Sequence, residues 1–300
     1  MNSGTIRLEF YGGTARGHQI DLYDAGRSIE GLGRTLAILA HYYENQKVLS
    51  QAPYSSAIVN LRAPRAGSVV IEVVVAVAGS VISAPIVLYL NHVMGQWLPG
   101  GSAADKSRIK NLQAQLEIQG ERLDGLQRAI DQRDRTDELA DQVREVQQFI
   151  TRNQNEHDVM RSIASNSFSD IYRPVGRSAD FAVVYGDAPG AYTGVADPAA
   201  VAQLQSEVPD PKLSVVAATV DAFARKSKRG TAFSKQLGRG FRFHYGQMGK
   251  LGEQDDFSWS QYEQQPLLMT GRFYRFFDGS IKRLEVVAVE RITREIEDIL

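Results

Sequence analysis

Gly67–Trp97 reads GSVVIEVVVAVAGSVISAPIVLYLNHVMGQW, and whether it crosses a membrane or fills the middle of a domain decides how the rest is read. Val73–Leu90 carries no charge over eighteen residues, the nominal length of a spanning helix. Its first part is rich in valine and continues an alternation that starts at Val69, with Glu72 on the opposite face, which favours a strand. Once the strand ends, only Ala78–Leu90 is left before Asn91 and His92. That is a helix of roughly 20 Å, against a hydrocarbon core of roughly 30 Å. Ser83-Ala84-Pro85 has the form of a helix start, since proline is tolerated in a first turn. The segment is therefore expected to split near Gly79 into a strand and a buried helix over Ala84–Trp97. The competing reading runs one helix over 78–98, kinked at Pro85, with Trp97 at the interface and Asn91 and His92 in lipid or against a partner helix.

Working back towards the N-terminus, Ser56–Arg62 pairs naturally with the valine strand across the turn Ala63–Gly67. Such a hairpin offers Glu72 a partner in Arg62 or Asn60. Thr5–Phe10 and His18–Leu22 alternate like half-buried strands, with Gly12–Gly17 between them. A helix follows from Asp24, with Ile29, Leu32, Leu36 and Leu39 on one face. Gly31 and Gly33 weaken it or let another backbone come close. Residues 1–100 are thus expected to form an α+β domain.

Residues 101–172 differ in character. Ile109, Leu112, Leu116, Leu123, Leu126 and Ile130 recur at 3,4 spacing, which is a coiled-coil seam. Thr136 followed by Asp137 and Glu138 restarts a helix whose seam is Leu139, Val143, Val146 and Ile150. The expectation is a helical hairpin or coiled coil that self-associates into a homo-oligomer. Residues 173–300 read as a β-rich domain, an SH3/OB-like barrel or a sandwich, with strands at Phe181–Tyr185, Leu213–Phe223, Phe241–Tyr245, Pro266–Phe276 and Ser280–Val289. Asp197-Pro198 opens a short helix, Asp278-Gly279 marks a tight hairpin, and Ile292, Ile296 and Ile299 suggest a closing helix.

Composition excludes several chemistries. The chain has 300 residues, 43% hydrophobic and 23% charged, with a net charge of −1, so any nucleic acid or anionic lipid must be met by a local patch. It has no cysteine, which removes disulfides, zinc-thiolate sites and cysteine nucleophiles and fits a cytoplasmic location. The start, MNSGTIRLEFYGG, lacks the pattern of a secretory signal. The five histidines form no metal-ligand spacing, and no cofactor is implied. Gly246–Gly252 contains Gly-Lys, but leucine follows where a phosphate-binding loop needs Ser or Thr, and neither GxGxxG after a strand nor GxSxG is present. GRSIE (26–30) and GRSAD (176–180) resemble each other, but a serine before an acid commonly marks a helix or turn start. Nothing names a catalytic residue, and the balance leans away from an enzyme.

The strongest charge signal is RKSKRGTAFSKQLGRGFRFHYGQMGK (225–250), with eight Lys or Arg and no acid. Phe233, Phe241, Phe243 and Tyr245 interleave with the charges, as in surfaces where cations hold phosphates and rings stack on bases. The same residues also fit a solvated basic loop followed by a core strand that leaves Arg242 and His244 outside. The functional expectation is a non-enzymatic interaction protein that contacts single-stranded nucleic acid or a phosphate-bearing ligand. Its contacts would be Lys226, Lys228, Arg229, Lys235, Arg239 and Arg242. The alternative is a membrane-associated effector or sensor of a bacterial stress or defence system, with 78–98 inserted in the inner membrane.

Overall fold

The structure is a computed structural model that describes residues 5–48, 57–62, 69–77, 80–81, 84–99, 107–115, 124–138, 140–246 and 253–292. It is mixed α+β and divides into two compact units. The first comprises Met1–Arg152 and Ala164–Gln205, and the second Asn153–Ile163 and Ser206–Leu300.

In the first unit, β1 (Thr5–Tyr11), β2 (Ala57–Arg62), β3 (Val69–Val77), β4 (Ser80–Val81), β5 (Phe181–Gly186) and β6 (Tyr192–Ala196) form one antiparallel sheet in the order β2-β3-β1-β5-β6, with β4 on β3. β1 lies in the middle, which is why its alternation is buried on both faces: Ile6, Leu8 and Phe10 point one way, Glu9 and Tyr11 the other. The register sets Glu72 opposite Arg62 on one side and Arg7 on the other, and Arg7 pairs with it at 3.6 Å.

The helices of this unit are α1 (Leu22–Asn45), α2 (Ala84–Trp97), α3 (107–115), α4 (Asp124–Glu138), α5 (Ala140–Arg152), the later turns of α6 (Gln154–Ile171) and α7 (Pro198–Gln205). α1 begins slightly before Asp24, because Asp21 caps it by accepting from the Asp24 N–H. The stretch His18–Leu22, expected as a strand, is instead a turn leading from a 3₁₀ helix (Gly13–Gly17) into that cap. Gly31 faces α6: a Cβ there would stand 2.4 Å from the Ser167 carbonyl oxygen.

The opening segment behaves as a strand and a short helix. α2 has 14 residues, Pro85 lies exposed in its first turn, and Ile86–Asn91, Val93, Met94 and Trp97 are buried. Among the described residues no helix is long and apolar enough to cross a membrane. Within the 78–98 stretch expected as the inserted helix of the alternative reading, Ser80–Val81 is a strand and the described helix is confined to Ala84–Trp97. Asn91 donates to the Val87 carbonyl at 2.8 Å and accepts from the Thr193 hydroxyl at 2.8 Å. The polar interruption thus belongs to this unit's own core.

The 3,4-spaced residues are also used inside the unit. Ile109, Leu112, Leu126 and Ala129 pack on the sheet face formed by Tyr11, Phe181, Val183, Tyr185 and Val195. On α5, Val143 and Ile150 are buried, and Phe149 meets Tyr42, Tyr43 and Tyr89. Helical periodicity states that a stripe is buried without saying against what. Leu116, Leu123 and Leu139 lie outside the described residues. The division also differs from three consecutive segments at 1–100, 101–172 and 173–300: Phe181–Tyr185, expected in the C-terminal β domain, pairs with β1 as β5.

The second unit holds β7 (Val208–Pro209), β8 (Ser214–Ala224), β9 (Arg229–Ser234), β10 (Arg239–Tyr245), α8 (Glu253–Glu263), β11 (Pro266–Arg275) and β12 (Ile281–Arg291). β8, β9, β10, β12 and β11 follow one another around a closed, barrel-like sheet, since β12 pairs with both β10 and β11. The β10–β12 pair is parallel and the other pairs are antiparallel. Register shifts at Val220/Ala222, Thr270/Gly271 and Tyr274/Arg275 bend the strands enough to close it. Inside lie Val216, Val220, Phe241, Phe243, Tyr245, Met269, Leu284 and Val286, with Phe257 of α8 stacked on Phe243. The Asp278-Gly279 hairpin forms as expected, Gly279 taking φ 81°. β6, β7 and β9 are not among the expected strands, and in β9 the alternation is masked by charged and small residues. The expected closing helix extends into residues outside the described set.

Candidate functional site

The basic stretch becomes the turn between β8 and β9, the strand β9, and the turn into β10. Ala224–Arg229 reverses direction through Lys228, whose φ is 53°, and the Lys228 carbonyl accepts from the Tyr245 N–H. Lys226 and Arg229 are exposed, and Lys235 is exposed in the next turn. Inward-facing Ala232 and Ser234 leave Arg229, Thr231 and Phe233 on the outside of β9, and Phe233 is 37% exposed. Among the described residues Lys226, Lys228, Arg229 and Lys235 have no ion-pair partner.

Register extends this surface around the barrel. Arg229 lies opposite His244 of β10, His244 opposite Glu285 of β12, and Glu285 opposite Arg272 of β11. The next row holds Thr231 opposite Arg242, and Arg283 opposite Tyr274. Arg283 stacks over the Tyr274 ring at 3.9 Å and pairs with Glu207 at 3.0 Å and Glu285 at 3.5 Å. Burial, then Arg229 and Arg283, hold the Arg242 guanidinium below its usual pKa. His244 is also held below its usual value, by burial first and then by Arg229, with Arg283 and Lys228 adding to it and Glu285 opposing it.

The six cations expected to act together divide into two groups. Arg239 is ion-paired with Asp158, and Arg242 donates to the Ser162 carbonyl at 2.8 Å. Both partners lie on the 153–163 part of α6, which also anchors Arg161 to Asp278 at 2.7 Å and packs Val159 against Gly240. These two arginines therefore hold a helix against the barrel wall, while Lys226, Lys228, Arg229 and Lys235 face outward. Three of the four expected stacking rings are corrected: Phe241, Phe243 and Tyr245 are each at most 2% exposed, inside the barrel, and cannot meet a base. Only Phe233 is available. His244, outside the core strand as the second reading of this stretch expects, lies opposite Arg229, and Arg283 joins the surface on β12, a neighbour the local sequence does not reveal. Lys250 lies outside the described residues.

Other clusters are satisfied within the fold. Glu9 accepts from the Tyr11 hydroxyl at 2.5 Å and the Tyr185 hydroxyl at 2.7 Å. The two similar motifs serve the packing of the first unit: Arg27 pairs with Asp170, Arg177 with Asp24, and Ser28 donates to the Ile171 carbonyl. A groove of about 510 Å³ beside Phe181, Asn111 and Pro198 is spanned by the Arg108–Asp197 ion pair at 3.0 Å. Asp256 sits in α8 and pairs with Arg291 at 2.7 Å.

Residues 6–202 match the family model described as Domain of unknown function (DUF7946), and the chain belongs to that family. No curated protein and no solved structure matches the chain. The matched stretch ends before β7, so the basic surface lies beyond the part by which the family is defined.

Proposed function

We propose that the second unit is an OB-like module that binds single-stranded nucleic acid along β9 and the turn before it. The observation that carries this reading is the row of outward cations Lys226, Lys228, Arg229 and Lys235 around the exposed ring of Phe233. Cations neutralise backbone phosphates and release counterions, while a ring accepts any base by stacking. Strand order supports the reading. OB modules are five-stranded Greek-key barrels that contact oligonucleotides through their second and third strands and the turn between the first two. Counted from β8, those are β9, β10 and the turn at 225–228.

The test is fluorescence anisotropy of labelled single-stranded DNA and RNA with the full chain over a range of salt. Binding weakens as salt rises, K226E/K228E/R229E weakens it at least about tenfold, and Phe233→Ala costs about 1–3 kcal/mol of affinity. Binding that is indifferent to salt and to the charge reversals, or equally tight for duplex, would sink the proposal.

A further inference from the structure

Among the described side chains on this surface, His244 carries the one imidazole, and it stands within the outward row. Arg229 is its cross-strand neighbour on β9 and Glu285 on β12, while Arg242 lies two residues away on the same face of β10. Lys228 belongs to the turn above it, and Arg283 and Arg272 flank Glu285. Glu285 is the carboxylate opposite the ring, engaged by Arg283 and by the Tyr274 hydroxyl, and Glu207 pairs with Arg283 at 3.0 Å, which leaves Arg229, Lys228, Arg242 and Arg272 as the uncompensated cations of the set. The cations thus outnumber the carboxylates around an imidazole that is only partly covered. An added proton on that ring is opposed by its neighbours until an anion arrives.

We infer that His244 is the central phosphate contact of this face and takes up a proton from solvent when a phosphate-bearing strand binds. This rests on the function proposed above. A backbone phosphate seated between Arg229 and His244, neighbours across one inter-strand spacing of about 5 Å, places its charge beside the ring. It replaces the missing negative charge and favours the imidazolium, which then donates from both nitrogens. Burial and the flanking cations hold the free ring below its usual pKa, so the unbound protein carries it mostly neutral at pH 7. Binding and protonation are linked: affinity rises as pH falls through the interval between the free and bound midpoints, and is flat above it.

The experiment is anisotropy of a labelled oligodeoxythymidine without terminal phosphates, whose bases and phosphodiesters do not titrate, from pH 5.5 to 8 at constant ionic strength. Wild type tightens by up to about tenfold per pH unit, the limit for one linked proton. His244→Gln loses the slope, its affinity staying within about twofold of its own pH 8 value down to pH 5.5. The second histidine of this unit, His157, is unchanged in that variant, so a slope that survives there overturns the inference. A flat wild-type profile with retained binding also overturns it and leaves the proposed function standing, whereas absence of binding at every pH overturns both. As a direct readout, the NMR titration midpoint of the His244 ring moves up when the oligonucleotide saturates the protein, and a midpoint that stays put counts against the inference.

Discussion

The Thr193 hydroxyl donates to the Asn91 side-chain oxygen at 2.8 Å, joining the middle of α2 to the last strand of its own sheet. Asn91 is fully buried, and its amide also donates to the Val87 carbonyl. Removing one partner of a buried pair leaves the other desolvated and unbonded. Asn91→Ala is expected to destabilise the first unit by about 2–4 kcal/mol, combining that penalty with a small cavity. Asn91→Leu, which the reading of this segment as lipid-embedded would tolerate, is expected to destabilise as well. Chemical denaturation followed by circular dichroism checks both, and an Asn91→Leu variant as stable as wild type would speak against the internal role.

Legibility in the sequence follows how local each feature is. The split of Gly67–Trp97 was readable because a period-2 run and a proline start are written in adjacent residues. The Asp278-Gly279 hairpin was readable for the same reason. Partners were not: the Ile109 and Leu126 stripe announces burial but not the sheet that buries it, and Phe181–Tyr185 announces a strand but not β1. At the basic surface, the charges of Lys226–Arg229 are plain in the sequence. The capture of Arg239 and Arg242 by Asp158 and Ser162 is not, because eighty residues of chain separate the partners.

Gly31 shows a local signal with a distant cause. A Cβ at this position meets backbone, the Ser167 oxygen at 2.4 Å and the Ile171 nitrogen at 3.0 Å, and backbone cannot step aside as a side-chain tip can. Gly31→Ala would gain helix propensity of about 1 kcal/mol if the site were open. It is expected instead to lose about 1–3 kcal/mol through overpacking between α1 and α6. Thermal denaturation distinguishes the two signs.

The pair of phenols on Glu9 sets an alkaline limit for the first unit. Burial, then the Glu9 carboxylate, raises the pKa of both Tyr11 and Tyr185 above the ordinary value of 10.0. A folded pKa above the unfolded one means that the folded state keeps protons the unfolded state has released. The contribution is therefore complete below pH 10 and is lost as pH rises from there towards the folded values. Midpoints of thermal unfolding between pH 8 and 11 are expected to fall steeply above pH 10. Tyr185→Phe is expected to lower stability at pH 8 by about 1–2 kcal/mol, through one charged hydrogen bond, and to make the alkaline fall shallower. An unchanged slope would place the titrating groups elsewhere.

The two groups of cations on the barrel are expected to separate in their effects. Lys226 and Lys228 stand in a turn without ion-pair partners among the described residues, so K226E/K228E should weaken oligonucleotide binding about tenfold or more with a melting temperature close to wild type. Arg239 is mostly covered and paired with Asp158, whose side chain is only 16% exposed. Arg239→Ala leaves that carboxylate without its ion-pair partner and removes one of the contacts that hold the 153–163 turns of α6 to β10. Its cost is expected to be about 1–3 kcal/mol of stability, with binding changed by less than about threefold once the variant is folded. Asp158→Ala should destabilise to a similar extent, and the double variant should cost less than the sum, because the two share one interaction. The decisive comparison is melting temperature against oligonucleotide affinity across these variants. If Arg239→Ala abolishes binding while leaving stability intact, Arg239 belongs with the outward cations after all and the division drawn between them is wrong.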